Sequence, residues 1–332
     1  MNLSLRQHGG PDALGEAAFD FSTNANACGP NPLALRAVRQ ADARSYPDPR
    51  YQALRAALAA RHGVCADRIV PAGSGSEAIQ RLTARAVQRG VRRVVVPRQA
   101  YGDYRHAAAA WGLPATAGAC GGSDSLGWWC DPSSPLGQAS HPPARDLSNM
   151  RVLDRAYGPL RLEGVDPWTP EALDRVWQLH TPNKALGLTG IRAAYLIAPL
   201  GTGDGEVAAL DHMAASWCIG SHGVAMLTAW CRPEVDAWLA ECRDTLRGWK
   251  ATQMRLCQDL GWACLPSEAN FFVARLPAGV PTDLLARLRA QGIGLRDCAS
   301  FGLPGHVRLG VLPPVAQQAL RSAATTIGAS PT

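Results

Sequence analysis

Lys184 is one of only two lysines in the chain; the other is Lys250, and the rest of the 33 lysine and arginine side chains are arginines. It stands in the segment Thr181-Pro182-Asn183-Lys184-Ala185-Leu186-Gly187-Leu188-Thr189-Gly190-Ile191-Arg192, after an apolar run and a polar turn. An amine held in a fixed, partly desolvated position is deprotonated often enough to act as a nucleophile toward a carbonyl. The glycines that follow let backbone approach a bound ligand. Arg192, eight positions on, can return to a phosphate with a forked pair of donors. A second segment, Arg151-Val152-Leu153-Asp154-Arg155-Ala156-Tyr157, ends an apolar run on a carboxylate. Open α/β sheets bind ligands outside the carboxyl ends of their strands; a lone aspartate there more often caps a helix or turn, but the spacing of thirty residues to Lys184 reverses that preference. A third, Gly73-Ser74-Gly75-Ser76-Glu77, opens a helix after a strand. The free N–H groups and dipole of a helix N-terminus favour phosphate. Any strand–turn–helix can contain Gly and Ser, and the run does not continue to a full GxGxxG, which argues against a dinucleotide-binding fold.

The elements that must position these residues follow from periodicity. Residues 1–32 are rich in Gly, Asn and Pro and read as an irregular arm. Helical spacing covers Leu33–Ala41 and, after the turn Tyr46-Pro47-Asp48-Pro49, a second stretch with Leu54, Ala57, Leu58 and Arg61. Strands are expected at Arg68–Pro71, Val91–Val96, Gly127–Cys130, Arg151–Asp154, Val176–His180 and Ala193–Ala198, with helices at Ser76–Gln88 and Tyr104–Trp111. Such alternation predicts an α/β fold with a mainly parallel sheet and helices on both faces. Past Ser221 the pattern changes to Val224–Trp230 and a long helical stretch over Glu234–Leu260, the expected connector. A strand at Phe271–Arg275, a helix at Asp283–Ala290, strands near Ile293–Arg296 and Val307–Leu309, and a last helix from Val315 then read as a compact α+β unit.

Composition excludes several classes. With 18% charged and 47% hydrophobic residues the chain is globular and not disordered. The net charge of +6 is spread out, and its densest stretch (Arg89, Arg92, Arg93, Arg98) flanks the apolar run Val94–Val96. A helix end and a strand explain that stretch better than a nucleic-acid surface. The ten cysteines form no CxxC pair and several lie in helical apolar stretches, so reduced thiols in a cytoplasmic protein fit better than a metal site or a disulfide framework. The N-terminus has no apolar signal-peptide core, and no run has the length of a membrane span.

In their order along the chain, these segments resemble the fold-type-I, aspartate-aminotransferase-like enzymes that use pyridoxal 5′-phosphate (PLP), and the resemblance covers nearly the whole sequence. It implies a large PLP-binding domain over 41–229 with a mainly parallel sheet of seven-stranded type flanked by helices. An N-terminal arm over 1–40 and a smaller α+β domain over 230–332 complete the expected organisation. Lys184 would carry PLP as the Schiff-base lysine. Asp154, thirty residues upstream, would face the pyridine nitrogen and keep it protonated, making the ring an electron sink. Tyr157 would hydrogen-bond the phenolic oxygen and Tyr101, in Tyr101-Gly102-Asp103-Tyr104, would stack on the ring. Ser74, Gly75, Ser76, Thr181, Asn183 and Arg192 match the phosphate cradle and its surroundings. Tyr46 resembles the tyrosine that reaches the neighbouring subunit's phosphate, which implies a homodimer with shared sites.

The arm resembles one branch of the family. His8-Gly9-Gly10, Asp20-Phe21-Ser22-Thr23-Asn24-Ala25-Asn26 and Gly29-Pro30 are similar to the opening of the L-threonine-O-3-phosphate decarboxylases of cobalamin biosynthesis. Histidinol-phosphate aminotransferases share the later, Asn-rich part. The similarity implies that His8, Gly9, Asn24 and Asn26 border the substrate pocket, that Arg308 clamps the α-carboxylate and that Arg296 meets a second anion. The implied reaction is decarboxylation of L-threonine O-3-phosphate to (R)-1-amino-2-propanol O-2-phosphate. The alternatives are a histidinol-phosphate-type aminotransferase, a decarboxylase of O-phosphoserine and a non-catalytic protein on the same fold. Three positions depart from the family pattern: Ser133-Ser134-Pro135-Leu136-Gly137 stands where Asn-Asn-Pro-x-Gly is usual, Asn183 replaces the usual Ser, and Arg155 replaces an acidic residue. Ser134 is too short to make the usual contact directly, whereas the Asn183 amide could still donate to phosphate.

Overall fold

The structure, a computed structural model, describes residues 8–118 and 120–329. The first seven residues of the expected arm therefore lie outside the described residues. From the arm onward the elements are β1 (Phe19–Asp20), α1 (Pro32–Gln40), α2 (Gln52–His62), β2 (Ile69–Ala72), α3 (Gly75–Gln88), β3 (Arg93–Val96), α4 (Gly102–Ala110) and β4 (Ala115–Ala117). They continue with β5 (Ser125–Cys130), β6 (Met150–Asp154), α5 (Pro170–Leu173), β7 (Trp177–His180), β8 (Ala194–Ile197), α6 (Asp204–His212) and α7 (Ser221–Trp230). The chain closes with α8 (Pro233–Asp259), β9 (Ala263–Cys264), β10 (Phe271–Arg275), α9 (Leu284–Ala290), β11 (Ile293–Gly294), β12 (Arg296–Asp297), β13 (His306–Gly310) and α10 (Pro314–Ala329).

Seven strands form the main sheet in the order β2-β8-β7-β6-β5-β3-β4. All its pairs are parallel except those that β8 makes with β2 and β7. The mainly parallel expectation holds, and its physical reason is burial on both faces. Alternate strand residues serve different sides. Val70, Ala72, Leu126, Trp128 and Val152 pack with Ile79 and Leu82 of α3 and Tyr104 and Ala107 of α4. Ile69, Tyr195 and Ile197 instead join Leu54 and Leu58 of α2 and Met226 and Leu227 of α7.

A second sheet, β12-β13-β10-β9, is antiparallel, and the 27-residue helix α8 leads into it from the main sheet's side of the chain. The stretch expected as one strand near Ile293–Arg296 divides. β11 pairs in parallel with β1 of the arm, while β12 pairs with β13. The arm is thus not wholly irregular: two of its residues become a strand through a partner more than 270 positions away, a pairing that leaves no local pattern. Four further elements were not expected from the sequence: β4, α5, α6 and β9. β4 is an edge strand with a half-exposed, alanine-rich sequence, and α6 begins after Gly203 with a second glycine in its first turn. No described helix is long and apolar enough to cross a membrane.

Candidate active site

The strand ends position the site. Asp154 closes β6, Cys130 closes β5, Thr181 follows β7, and Ser74 follows β2 by one residue. Together with the arm and β12–β13 they enclose a cavity of about 900 Å³. It is lined by His8, Gly9, Asn24, Ser74, Gly75, Ser76, Tyr101, Ser134, Asp154, Tyr157, Thr181, Asn183, Lys184, Arg192, Arg296 and Arg308, together with residues from the same loops. Residues far apart in the sequence therefore meet as expected, at the carboxyl ends of parallel strands.

Asp154 is buried. Its Oδ2 accepts the Tyr104 hydroxyl at 2.7 Å and its Oδ1 accepts the Ala156 N–H at 2.9 Å. Tyr104 is itself locked by stacking on Trp128, 4.5 Å between ring centres. Burial pushes the Asp154 carboxyl above its ordinary value, and the Tyr104 bond, the charge of Lys184 and the Ala156 N–H only partly oppose it. A carboxylate so placed holds its charge best beside a cation. Lys184 is half-buried, with Nζ 5.2 Å from the centre of the Tyr157 ring. The Tyr157 hydroxyl accepts from Asn24 Nδ2 at 3.2 Å, and its ring meets Phe271 edge-on.

The residues at the opposite end suit a phosphate. Ser74 caps α3, accepting from the Glu77 N–H at 3.1 Å, and leaves other first-turn N–H groups without intrahelical partners. A Cβ on Gly75 would stand 2.8 Å from Thr181 Cγ2, so only glycine lets the helix and the strand end approach this closely. The Thr181 hydroxyl is buried with no hydrogen-bond partner. Such an orphan beside a helix N-terminus fits an anion that completes it. Arg192 stands exposed at the rim.

Two of the anticipated contacts take another form. The Asn183 amide donates to the carbonyls of Thr189 and Ile191, 3.5 and 3.4 Å away, and its Oδ1 is left without a partner although the residue lines the cavity. It therefore does not offer an N–H to phosphate as expected. The Ser76 hydroxyl donates to Asp103 Oδ2 at 2.5 Å, so only its backbone remains for an anion. Tyr101 lines the cavity, but its hydroxyl is likewise given to Asp103, at 2.8 Å.

Two residues lie outside the cavity. Asn26 was expected at the substrate pocket. Its side chain instead donates to the Ala185 carbonyl at 3.0 Å and accepts from the Cys28 N–H, while its own N–H donates to the Lys184 carbonyl at 2.9 Å. It thus ties the arm to the lysine loop. Tyr46 is exposed and stacks on Trp217, 4.2 Å between ring centres.

Arg296 and Arg308 pack near the Phe301 ring, their guanidinium carbons 4.9 and 5.9 Å from its centre. Arg296 is anchored by the Asp297 carbonyl and Ser300 hydroxyl, both at 2.8 Å. Arg308 donates to the Ser22 carbonyl at 3.0 Å and keeps a buried Nε without a partner. Burial first, and then the neighbouring Arg308, lower Arg296 from its usual value, with Cys298 and Asp297 opposing. The site reading overlooked Tyr104 and Phe301. Tyr104 was visible only as a member of the Tyr101–Tyr104 pair on a helix, and Phe301 ends a three-residue 3₁₀ turn that leaves no sequence pattern. The ten cysteines are all free thiols, and no metal-binding group of His, Cys, Asp or Glu occurs among the described residues.

Comparison with known proteins agrees with this geometry. Residues 144–327 match the sequence model of the family "Aminotransferase class I and II". Over 89% of its length the chain is 32% identical to a histidinol-phosphate aminotransferase of Symbiobacterium thermophilum, covering 86% of that protein. It is 29% identical to the one of Jannaschia sp., with 95% and 92% covered. The solved histidinol-phosphate aminotransferase of Sinorhizobium meliloti in complex with pyridoxal-5′-phosphate has a TM-score of 0.80 at 23% identity, covering 98% of this chain and 95% of that one. The L-threonine-O-3-phosphate decarboxylase of Porphyromonas gingivalis gives 0.76 at 20%, with 93% and 99% covered. These two solved structures share the fold. The chain belongs to the aminotransferase class I and II family and is a fold-type-I, pyridoxal 5′-phosphate-dependent enzyme.

Proposed function

We propose that the cavity carries PLP on Lys184 and acts on a small phosphorylated amine. The observation that carries this reading is a buried carboxylate, Asp154, in one cavity with the only lysine that lines it, Lys184. PLP supplies an aldehyde to receive an amine and a conjugated ring that draws electrons from bonds at the amine-bearing carbon. Asp154, oriented by Tyr104 and Ala156, holds a proton at the ring nitrogen. Ser74, the backbone of Gly75 and Ser76, the Thr181 hydroxyl and Arg192 bind the phosphate. Tyr157 would serve the ring's phenolic oxygen, with Ser134 also lining the cavity, and Tyr101 would pack on the ring. Arg308 and Arg296 take the substrate's anionic groups, and His8, Gly9 and Asn24 close the pocket from the arm. Lys184 is also placed to move a proton at the amine-bearing carbon. Tyr46 and Trp217, exposed together, suit contact with a second copy of the chain.

Transamination of histidinol-phosphate type is the reading that the relatives support, because similarity to those enzymes runs along about nine-tenths of the chain. A second reading, decarboxylation of L-threonine O-3-phosphate, is favoured by the arm. Its His8-Gly9 start lies on the cavity wall, and the two arginines suffice for a phosphate and a carboxylate together. The protein would be incubated with PLP and, separately, histidinol phosphate, O-phosphothreonine and O-phosphoserine, with and without 2-oxoglutarate. Loss of amine from histidinol phosphate only with the acceptor establishes transamination. Carbon dioxide from O-phosphothreonine without acceptor establishes the second reading and overturns the first. Failure with all three overturns the phosphorylated-amine assignment.

A further inference from the structure

Asp103 is a buried carboxylate in the first turn of α4, behind the cavity wall formed by Tyr101 and Ser76. Its Oδ2 is fully engaged by the hydroxyls of Tyr101 and Ser76, at 2.8 and 2.5 Å. Its Oδ1 is buried without a hydrogen-bond partner. That oxygen faces two imidazoles: Nε2 of His8 at 3.9 Å and Nδ1 of His106 at 3.6 Å. Burial pushes the Asp103 carboxyl up, but the bonds from Ser76 and Tyr101 and the pull of His8 and His106 outweigh it and leave it below its ordinary value. It is therefore a fixed anion, and its field also reaches Asp154.

The arm is shaped to reach this anion. A Cβ on Gly9 would stand 2.2 Å from the Ser22 carbonyl oxygen, so only glycine lets the chain pass there. The Gly10 N–H donates to Ser22 Oγ at 2.8 Å, and the Ser22 carbonyl accepts from Arg308. The His8 ring comes to rest 6.0 Å from that of Tyr101, and both line the cavity. At its start the arm is thus held through Ser22 by Arg308 and lies with His8 against the wall that Asp103 charges.

We propose that Asp103 is a positioning residue whose Oδ1 anchors the arm's His8 to the cavity wall and so presents that imidazole to the phosphate of the substrate. The last step rests on the phosphorylated-amine reading above; the anchor itself does not. The opposed groups are His8 from the arm, His106 and Tyr101 from α4 and its cap, Ser76 from α3, and Asp154 from β6. Asp103 meets the arm at His8, 3.9 Å away.

The test compares full-chain holoenzyme as wild type, Asp103→Asn, His8→Gln and the double variant. Hydrogen–deuterium exchange is read on the arm peptide spanning residues 8–23, and KM and kcat on the phosphorylated substrate. A lost ion-pair contact predicts arm exchange and KM each raised about three- to fivefold in either single variant. The double variant should be no worse than the singles, because both remove one interaction. KM should rise more than kcat falls, and the cofactor's visible absorbance should stay that of wild type, which a merely structural aspartate would not allow. Arm exchange in Asp103→Asn equal to wild type, or additive losses in the double variant, overturns the proposal. If Asp103→Asn does not fold, His8→Gln decides alone, since an arm that exchanges as in wild type without the imidazole was never anchored by it. If no phosphorylated amine is turned over, the substrate reading has failed while the exchange comparison still decides the anchor.

Discussion

At the scale of single residues, Asp154 and Tyr104 form the pair on which the site's charge depends. A hydrogen bond to a buried carboxylate is worth about 1.5–3 kcal/mol, and Tyr104→Phe removes one without changing the ring that stacks on Trp128. The expected result is a loss of roughly tenfold in kcat/KM with the fold intact, checked by kinetics beside a thermal melt. Asp154→Asn keeps the shape but not the charge, and should lower kcat by about 10²–10³-fold, the range typical of a lost electrostatic contact to reacting atoms. A kcat within twofold of wild type would contradict the role given to Asp154. Asp154 was legible in the sequence because it ends an apolar strand at a fixed distance from a rare lysine. Asn183 was misread because the direction of its amide is set by the carbonyls of Thr189 and Ile191, a turn geometry no residue type announces. Asn26 was misread for a similar reason. Its neighbourhood is decided by where the arm docks, and its bonds go to the Lys184 and Ala185 carbonyls.

At the scale of elements, the arm and the lysine loop hold one another. Gly187 lies in the left-handed region at φ 66°, and a Cβ there would stand 2.7 Å from the Gly29 carbonyl oxygen. Gly187→Ala meets both the backbone penalty and the clash, so a loss of about 1–3 kcal/mol is expected in denaturant unfolding, with weaker retention of the cofactor. An unchanged midpoint would show that the arm is not seated on this loop. Strands and helices of the main sheet were legible because burial on both faces writes continuous apolar runs. Short elements that exist only through a distant partner were not. Phe19–Asp20 is a strand because Ile293–Gly294 lies beside it, and Arg296–Asp297 belongs to a different sheet from its neighbours Ile293–Gly294. The cavity's walls were therefore readable strand by strand, while the arm's path across them was not.

At the scale of the whole molecule, buried His180 at the end of β7 meets half-buried His62 at the end of α2, 4.8 Å apart between ring centres. His62 bonds the Tyr195 hydroxyl at 2.7 Å, and His180 stacks on the same tyrosine. Burial, aided by the charges of Arg61 and Arg155, lowers His62 to about 4. Burial first, and then the neighbouring His62, hold His180 well below its ordinary value. Both are neutral in the folded chain at neutral pH, whereas the unfolded chain binds protons at about pH 6.5. The contribution is complete above that value and drains away as pH falls toward about 4. For His62 alone the loss is on the order of 3 kcal/mol. Unfolding followed across that interval should show stability declining with acid, and His62→Gln should flatten part of the slope; a flat wild-type profile would contradict the burial argument. The same whole-molecule view supplies the most direct test of the site. Only Lys184 and Lys250 exist to carry a cofactor, and Lys250 is buried on α8, donating to Glu163 at 2.8 Å and to the Ser267 carbonyl. Borohydride reduction of the PLP-loaded protein, followed by peptide mapping, should place the pyridoxyl group on Lys184. A label on Lys250, or a protein that takes no label, would contradict the account.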